Sequence, residues 1–306
     1  MQVILIVGEQ FINMNKQEKI LKKGIGGLKK TPKDIRDFKL SKLGSTDKKK
    51  EEVPLIDFVV AEPLEIKNQY NSDFCVGFAT TAVSEDQEGV KLSPEWFFAQ
   101  IKKLEGKFNT YGANLRDGCR AAVKFGFIEK EQAPFSLKNK DRNFLANWEN
   151  WSTELNQKAL KHRKKSYFRV DESGDVFEDI RRALWENRDK KCSVLTGACW
   201  RVSWFQSPII RKVKKRDRCT GHAFKIFGQK IINGEPYLVA QLSGGEEDGD
   251  HGRYYFSKEV VNKTFIYGAF MFLDLDPEEQ KKNQWSWWVK IIDKIKKFVK
   301  KHLWQI

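Results

Sequence analysis

Apolar positions along the chain follow two different periods, helical in the first half and alternating or continuous in the second. From 74 to 86, Phe74, Phe78 and Val83 recur near helical spacing with small residues between them, which predicts a helix. Leu92-Ser93-Pro94-Glu95 opens another, with Ser93 as the capping residue and Pro94 at the first helical position. Trp96, Phe97, Ala99, Ile101 and Leu104 follow as its apolar residues. A third helix is expected from about Leu115 to Phe125, stopping at Gly126, and a further one near 176–187. Strand-like runs cover Val53 to Val60, Cys192 to Leu195, Ala223 to Phe227, Tyr237 to Leu242, Tyr254 to Phe256 and Phe265 to Leu275. Helices first and strands second is the pattern of an α+β protein with two unlike halves.

Composition narrows this picture. With 306 residues, 40% hydrophobic and 13% aromatic, the chain can bury a core as one large domain or as two half-domains sharing a cleft. Wholesale disorder is excluded. The net charge of +15 favours anionic surroundings without specifying a fold. Residues 1–52 read as a basic leader, 53–272 as the body, and 273–306 as a basic, Trp-rich tail. Within the body the helical half is expected at about 65–135 and the β half at about 136–272.

Along the tail, Trp288, Ile291, Ile292, Ile295, Phe298, Val299, Leu303 and Ile306 share one helical face, with lysines lining the other. Trp285–Ile306 therefore predicts an amphipathic helix that lies on an anionic membrane surface or docks on protein. The basic run from Arg211 to Arg218 reads as a solvated loop; nucleic acid is not expected, because no aromatics interleave with it. The apolar run after Met1 lacks a basic lead and meets Glu9, so it is a poor signal peptide, and Met14 is an alternative start. A cytoplasmic or host-cell interior location is expected, with peripheral membrane contact through the tail as an option.

Five cysteines, at 75, 119, 192, 199 and 219, form an odd set without paired spacing, which argues against a disulfide framework. No metal or cofactor is expected from their spacing. Cys75 stands where a polar turn enters a helix, a setting that favours thiolate over thiol. Six positions earlier, Gln69 can bring an amide N–H to the same sulfur, as an oxyanion donor requires. His222 begins an alternating run after a basic loop, and the other three histidines have weaker settings. Taken singly, Cys75 also reads as a buried helix-start cysteine and His222 as a structural histidine.

In order, however, Asn68-Gln69, Cys75, Phe78-Ala79, Leu92-Ser93, Gly221-His222-Ala223 through Gly228, and the Ser243-to-Gly252 loop resemble the papain-like cysteine peptidase family. Thr31 to Asp37 looks like a degraded form of the family's mature start, so the resemblance spans about residues 31–260. It implies a two-half fold, helical on one side and antiparallel and barrel-like on the other, with a central cleft. It also implies Cys75 as nucleophile, His222 as base and later acid, Gln69 in the oxyanion hole, and Gly221 and Ala223 bordering a polypeptide substrate. Two positions depart from the family: the Asn that orients the histidine is Leu242, and the shielding Trp is Gly244. Gln241 or Ser243 are the candidate substitutes, with Gln241 expected on the opposite strand face. The expected function is thus a cysteine-type peptidase, or else a lapsed papain-like protein acting as a binding or membrane-associated module.

Overall fold

A computed structural model describes residues 26–32, 34, 37–42, 52–214 and 216–274. The amphipathic helix expected at Trp285–Ile306 and both candidate start sites lie outside the described residues. The helical half is built on α1 (Cys75–Glu88), α2 (Pro94–Glu105) and α3 (Leu115–Phe125). Each boundary has a local cause. The Ser93 hydroxyl accepts the Trp96 N–H at the start of α2, the Asn114 side chain accepts the Asp117 N–H at the start of α3, and Gly89 ends α1 in the left-handed region. Gly77 lets α1 and α2 close up, since a Cβ there would meet the Pro94 carbonyl oxygen and Phe98 Cβ at 3.0 Å. Directly beside it the Phe74 and Phe98 rings stack 4.0 Å apart.

The polar stretch after 135 contributes to the same half. Asp141 caps a short helix, α4 (Arg142–Ala146), and α5 (Glu154–Ala159) follows. Leu145, Ala146, Trp151, Leu155 and Ala159 are buried in the helical cluster with Phe97 and Phe127.

The second half is a sheet of β1 (Phe58–Val59), β2 (Tyr167–Arg169), β3 (Val194–Arg201), β4 (Ile209–Ile210), β5 (Cys219–Ile232), β6 (Glu235–Gln241), β7 (Arg253–Ser257) and β8 (Ala269–Phe272). Its order is β2-β8-β3-β5-β6-β7-β4, with β1 on β5. The path does not return on itself, so the expected barrel-like closure is replaced by an open sheet whose central strand is β5. α6 (Val176–Glu186) and α7 (Lys258–Thr264) cover one face through Phe177, Ile180, Leu184, Val260 and Val261.

Several strands differ from their expected extent. The Val53–Val60 strand shrinks to two residues, because Pro54 cannot donate and Asp57 turns the chain by accepting the Ile231 N–H at 2.7 Å. The Phe265–Leu275 strand begins only at Ala269, after the left-handed Gly268. Ala223–Phe227 extends instead to fourteen residues, since Lys225 and Gln229 are buried in polar contacts and break no pairing.

A second correction concerns the cysteines. Cys199 and Cys219 form a disulfide with Cα atoms 5.2 Å apart, within the usual range. The register explains it: Cys199 pairs with Gly221 and Cys219 with Arg201, which sets the two cysteines diagonally across β3 and β5. Cys75, Cys119 and Cys192 are free and buried.

The halves are fastened along α1. Lys67 Nζ donates to Glu85 at 2.5 Å and Lys225 Nζ to Asp86 at 2.8 Å, with all four side chains nearly buried. Glu85 also accepts the Leu92 N–H. Burial pushes both carboxyls up and the Lys225 amine down, and the pairing opposes each shift.

Candidate active site

Cys75 is the first residue of α1 and is fully buried where that helix meets β5. The preceding turn is fixed by Asp73. Arg142 donates to both of its carboxylate oxygens at 2.8 Å, and the Gly112 N–H donates to it as well. Burial pushes Asp73 up, but these donors outweigh it and hold the carboxyl below its ordinary range. Arg142 also binds the carbonyls of Phe108 and Thr110, so one guanidinium ties the 108–112 loop to the start of α1.

The Ala223 backbone N–H donates to the Cys75 sulfur, yet burial dominates and pushes the thiol up to about 12. Burial thus opposes the thiolate that the helix start and the backbone N–H groups favour. His222 lies next to Ala223 on β5, its side chain on the strand face opposite that of Ala223. Its ring lies 5.9 Å from that of Trp200 and 6.4 Å from that of Phe224, while Ala223 packs with Cys75. Among the described residues neither ring nitrogen has a hydrogen-bond partner. Burial drives the imidazole down to about 3, so it is neutral near pH 7.

The remaining expected residues sit close by. Gln69 is buried, its Nε2 donating to the Ser72 carbonyl at 2.8 Å and its Oε1 accepting from Ser243 Oγ at 2.5 Å. Its backbone N–H donates to the Ser243 carbonyl, so Ser243 serves Gln69 and not His222. Gln241 donates to the Glu65 carbonyl at 3.0 Å. With Lys67, Ala223, Leu242 and Ser243 it lines a small cavity between the halves. Neither candidate substitute reaches the imidazole by hydrogen bond. Leu242 is buried and apolar.

A feature outside the expected set crosses the cleft. Leader residues 26–30 pass beside Cys75, with Leu28 in a parallel bridge to Ala113. Lys29 N–H donates to the Ala113 carbonyl and Ala113 N–H to the Gly27 carbonyl, both at 2.8 Å. Leu28 N–H donates to the Gly221 carbonyl at 3.2 Å. The Leu28 side chain is buried with Cys75, Ala113, Leu195 and Ala223, and Tyr267 packs against that cluster. Close backbone approach makes this possible: a Cβ on Gly197 would lie 2.2 Å from Leu28 Cδ2, and one on Gly221 would lie 2.4 Å from the Leu28 carbonyl oxygen. Gly221 and Ala223 lie against this segment. Tyr111, Gly112, Gly197 and Tyr267 join them and were not singled out from the sequence; the Gly26-Gly27 pair against Gly112 was the available signal.

Comparison with known proteins turns on this architecture. No family model matches the sequence, and no curated protein matches it. Among solved structures, xylellain, a cysteine protease from Xylella fastidiosa, superposes with a TM-score of 0.68 at 19% identity, over 83% of this chain and 98% of that one. The fold is papain-like. Digestive procathepsin L2 from the larval midgut of Tenebrio molitor gives 0.60 at 16% identity, covering 90% of each chain. ProCathepsin B S9 from Trypanosoma congolense gives 0.58 at 17%, over 81% of this chain and 87% of that one. In the papain-like arrangement of this chain, no helix among the described residues is long and apolar enough to cross a membrane. Among the same residues no cluster of three or more His, Cys, Asp or Glu is arranged to hold a metal ion.

Proposed function

We propose that the chain is a cysteine-type peptidase whose cleft is occupied, in the state described, by its own leader. The observation that carries this reading is the Leu28–Lys29 segment. The cleft beside Cys75 already holds a stretch of peptide by backbone hydrogen bonds and by one buried aliphatic side chain.

In the active state Cys75 is the nucleophile and His222 takes its proton. The sulfur attacks the scissile carbonyl, forming a C–S bond. The carbonyl oxygen, negative in the tetrahedral intermediate, is stabilised by the Cys75 backbone N–H and by Gln69 Nε2 once it leaves the Ser72 carbonyl. Collapse breaks the C–N bond, and the proton on His222 passes to the departing amine. Water, deprotonated by His222, then cleaves the thioester. A thiol pushed up to about 12 and an imidazole pushed down to about 3, with no hydrogen bond between them, form a resting arrangement; function requires the leader to leave and the imidazole to reach the sulfur.

The test is labelling by an epoxide-type thiol probe of the full chain, of Leu28→Asp, and of each with Cys75→Ala or His222→Ala added. Labelling of Leu28→Asp at Cys75 that collapses without His222 supports a peptidase. Labelling no faster than at Cys119 and Cys192 supports the second reading, a lapsed papain-like binding module. Leu242 favours that alternative, because it leaves the imidazole without a polar orienting group. For the Trp285–Ile306 tail the proposal remains contact with an anionic membrane or a partner protein. Failure of anionic liposomes to sediment the protein at low salt removes the membrane reading.

A further inference from the structure

On β5 the His222 imidazole is enclosed by rings. In register, His222 stands opposite Ala198 and Trp200 opposite Thr220, so His222 and Trp200 are diagonal neighbours on one face of the β3–β5 pair. Ala198 is small and leaves the space into which both rings lean. The two rings meet edge to face, at 5.9 Å and 73°. Phe224, two residues along the same face, completes the enclosure at 6.4 Å from His222 and 6.2 Å from Trp200.

Trp200 is itself immobilised. It is fully buried, and it meets Tyr254 at 4.9 Å, Trp204 at 5.2 Å and Phe256 at 6.0 Å, all edge to face. On the opposite face the Cys199–Cys219 disulfide spans the Trp200–Thr220 pair and pins the backbone from which the indole projects. Among the described residues no hydrogen bond orients the imidazole, since neither nitrogen has a polar partner and Leu242 supplies none, and the contacts its ring makes are with the Trp200 and Phe224 rings.

We propose that Trp200 is the positioning residue of His222, fixing by ring packing the imidazole that Leu242 cannot fix by hydrogen bonding. This rests on the peptidase reading for its catalytic meaning, but not for its structural content. Trp200 does not touch the reacting atoms; it acts through the imidazole. It also keeps water from both ring nitrogens, which couples orientation to basicity. Desolvation is the sole cause of the shift of His222. The charged groups on the packed elements have partners of their own: Lys225 pairs with Asp86, Arg253 with Glu62, and Asp248 accepts from the Tyr254 hydroxyl.

The experiment follows the imidazole by NMR in the full chain, assigned with His222→Gln, through a titration of the parent protein, Trp200→Phe and Trp200→Leu. The expected result is a nuclear Overhauser contact between the indole of Trp200 and the ring of His222. Trp200→Leu is expected to move the His222 midpoint up by at least one pH unit, while Trp200→Phe retains most of the depression. A merely structural tryptophan would lower the melting temperature and leave the midpoint unmoved. Absence of the Overhauser contact, or an unmoved midpoint in Trp200→Leu, overturns the proposal; should Trp200→Leu fail to fold, the contact and the Trp200→Phe titration decide. In the Leu28→Asp background, the maximal rate of epoxide labelling is expected to fall at least tenfold in Trp200→Leu, with half-saturation unchanged. If that background shows no labelling at Cys75 even with Trp200 intact, the peptidase reading fails while the titration still decides the role of Trp200.

Discussion

Leu28 donates its backbone N–H to the carbonyl of Gly221, the residue before His222, at 3.2 Å. The leader is thereby joined to the histidine strand as well as to Ala113 across the cleft. A carboxylate in place of the buried Leu28 side chain would sit among apolar groups, at a cost of several kcal/mol. Leu28→Asp should therefore displace the segment and raise the rate of thiol labelling at Cys75 about tenfold or more. An unchanged rate, with the fold intact by circular dichroism, would show that the leader does not control access.

The Cys75 thiol, pushed up to about 12, should react as a thiol and not as a thiolate. In the full chain, alkylation by chloroacetamide should climb steadily between pH 7 and pH 9 with no plateau. An inflection below pH 8 would mean that an activated thiolate exists with the leader in place.

His222 makes stability depend on pH in a definable window. Its pKa falls from 6.5 in the unfolded chain to about 3 in the folded one, so between these values the unfolded state binds more protons. Stability should then decrease as pH falls from 6.5 toward 3, by about 1.4 kcal/mol per pH unit from this group. Above pH 6.5 the dependence disappears. His222→Phe should remove this part of the slope, measured as the difference in urea unfolding free energy between pH 7 and pH 5. An unaltered difference would place the imidazole in water.

Lys225 and Asp86 form a pair in which each side chain is about 1% exposed. Removing one partner strands the other charge, so Lys225→Met should cost about 3–5 kcal/mol of stability. Lys225→Met combined with Asp86→Leu should recover most of the loss. If the double variant is as unstable as the single, the pair contributes attraction beyond the cost of its burial.

Local signals were legible where one element decides the outcome. Ser93-Pro94 and Asn114 mark helix starts, and the helix at Leu115–Phe125 ends where expected because a capping side chain and Gly126 close it. The papain-like fold was legible through the ordered motifs around Gln69, Cys75 and His222, each a short local segment. What depends on two strands meeting was not. The Cys199–Cys219 bond exists only through the β3–β5 register, 20 residues apart, and an odd cysteine count is blind to it. The ring contact of Trp200 with His222 has the same origin. Lys225 and Gln229 concealed the length of β5, since a polar residue in a strand is buried only when a distant partner meets it.

The two lysine–carboxylate pairs on α1 have a mechanical consequence. Glu85 and Asp86 are adjacent in sequence, yet one is held by Lys67 in the approach to the cysteine turn and the other by Lys225 on the central strand. A hinge between the halves would have to part the Lys225–Asp86 bond away from water, where nothing replaces it. The cleft is therefore a fixed slot in a stiff body, and its traffic is governed by what lies in the slot, not by how widely its walls swing.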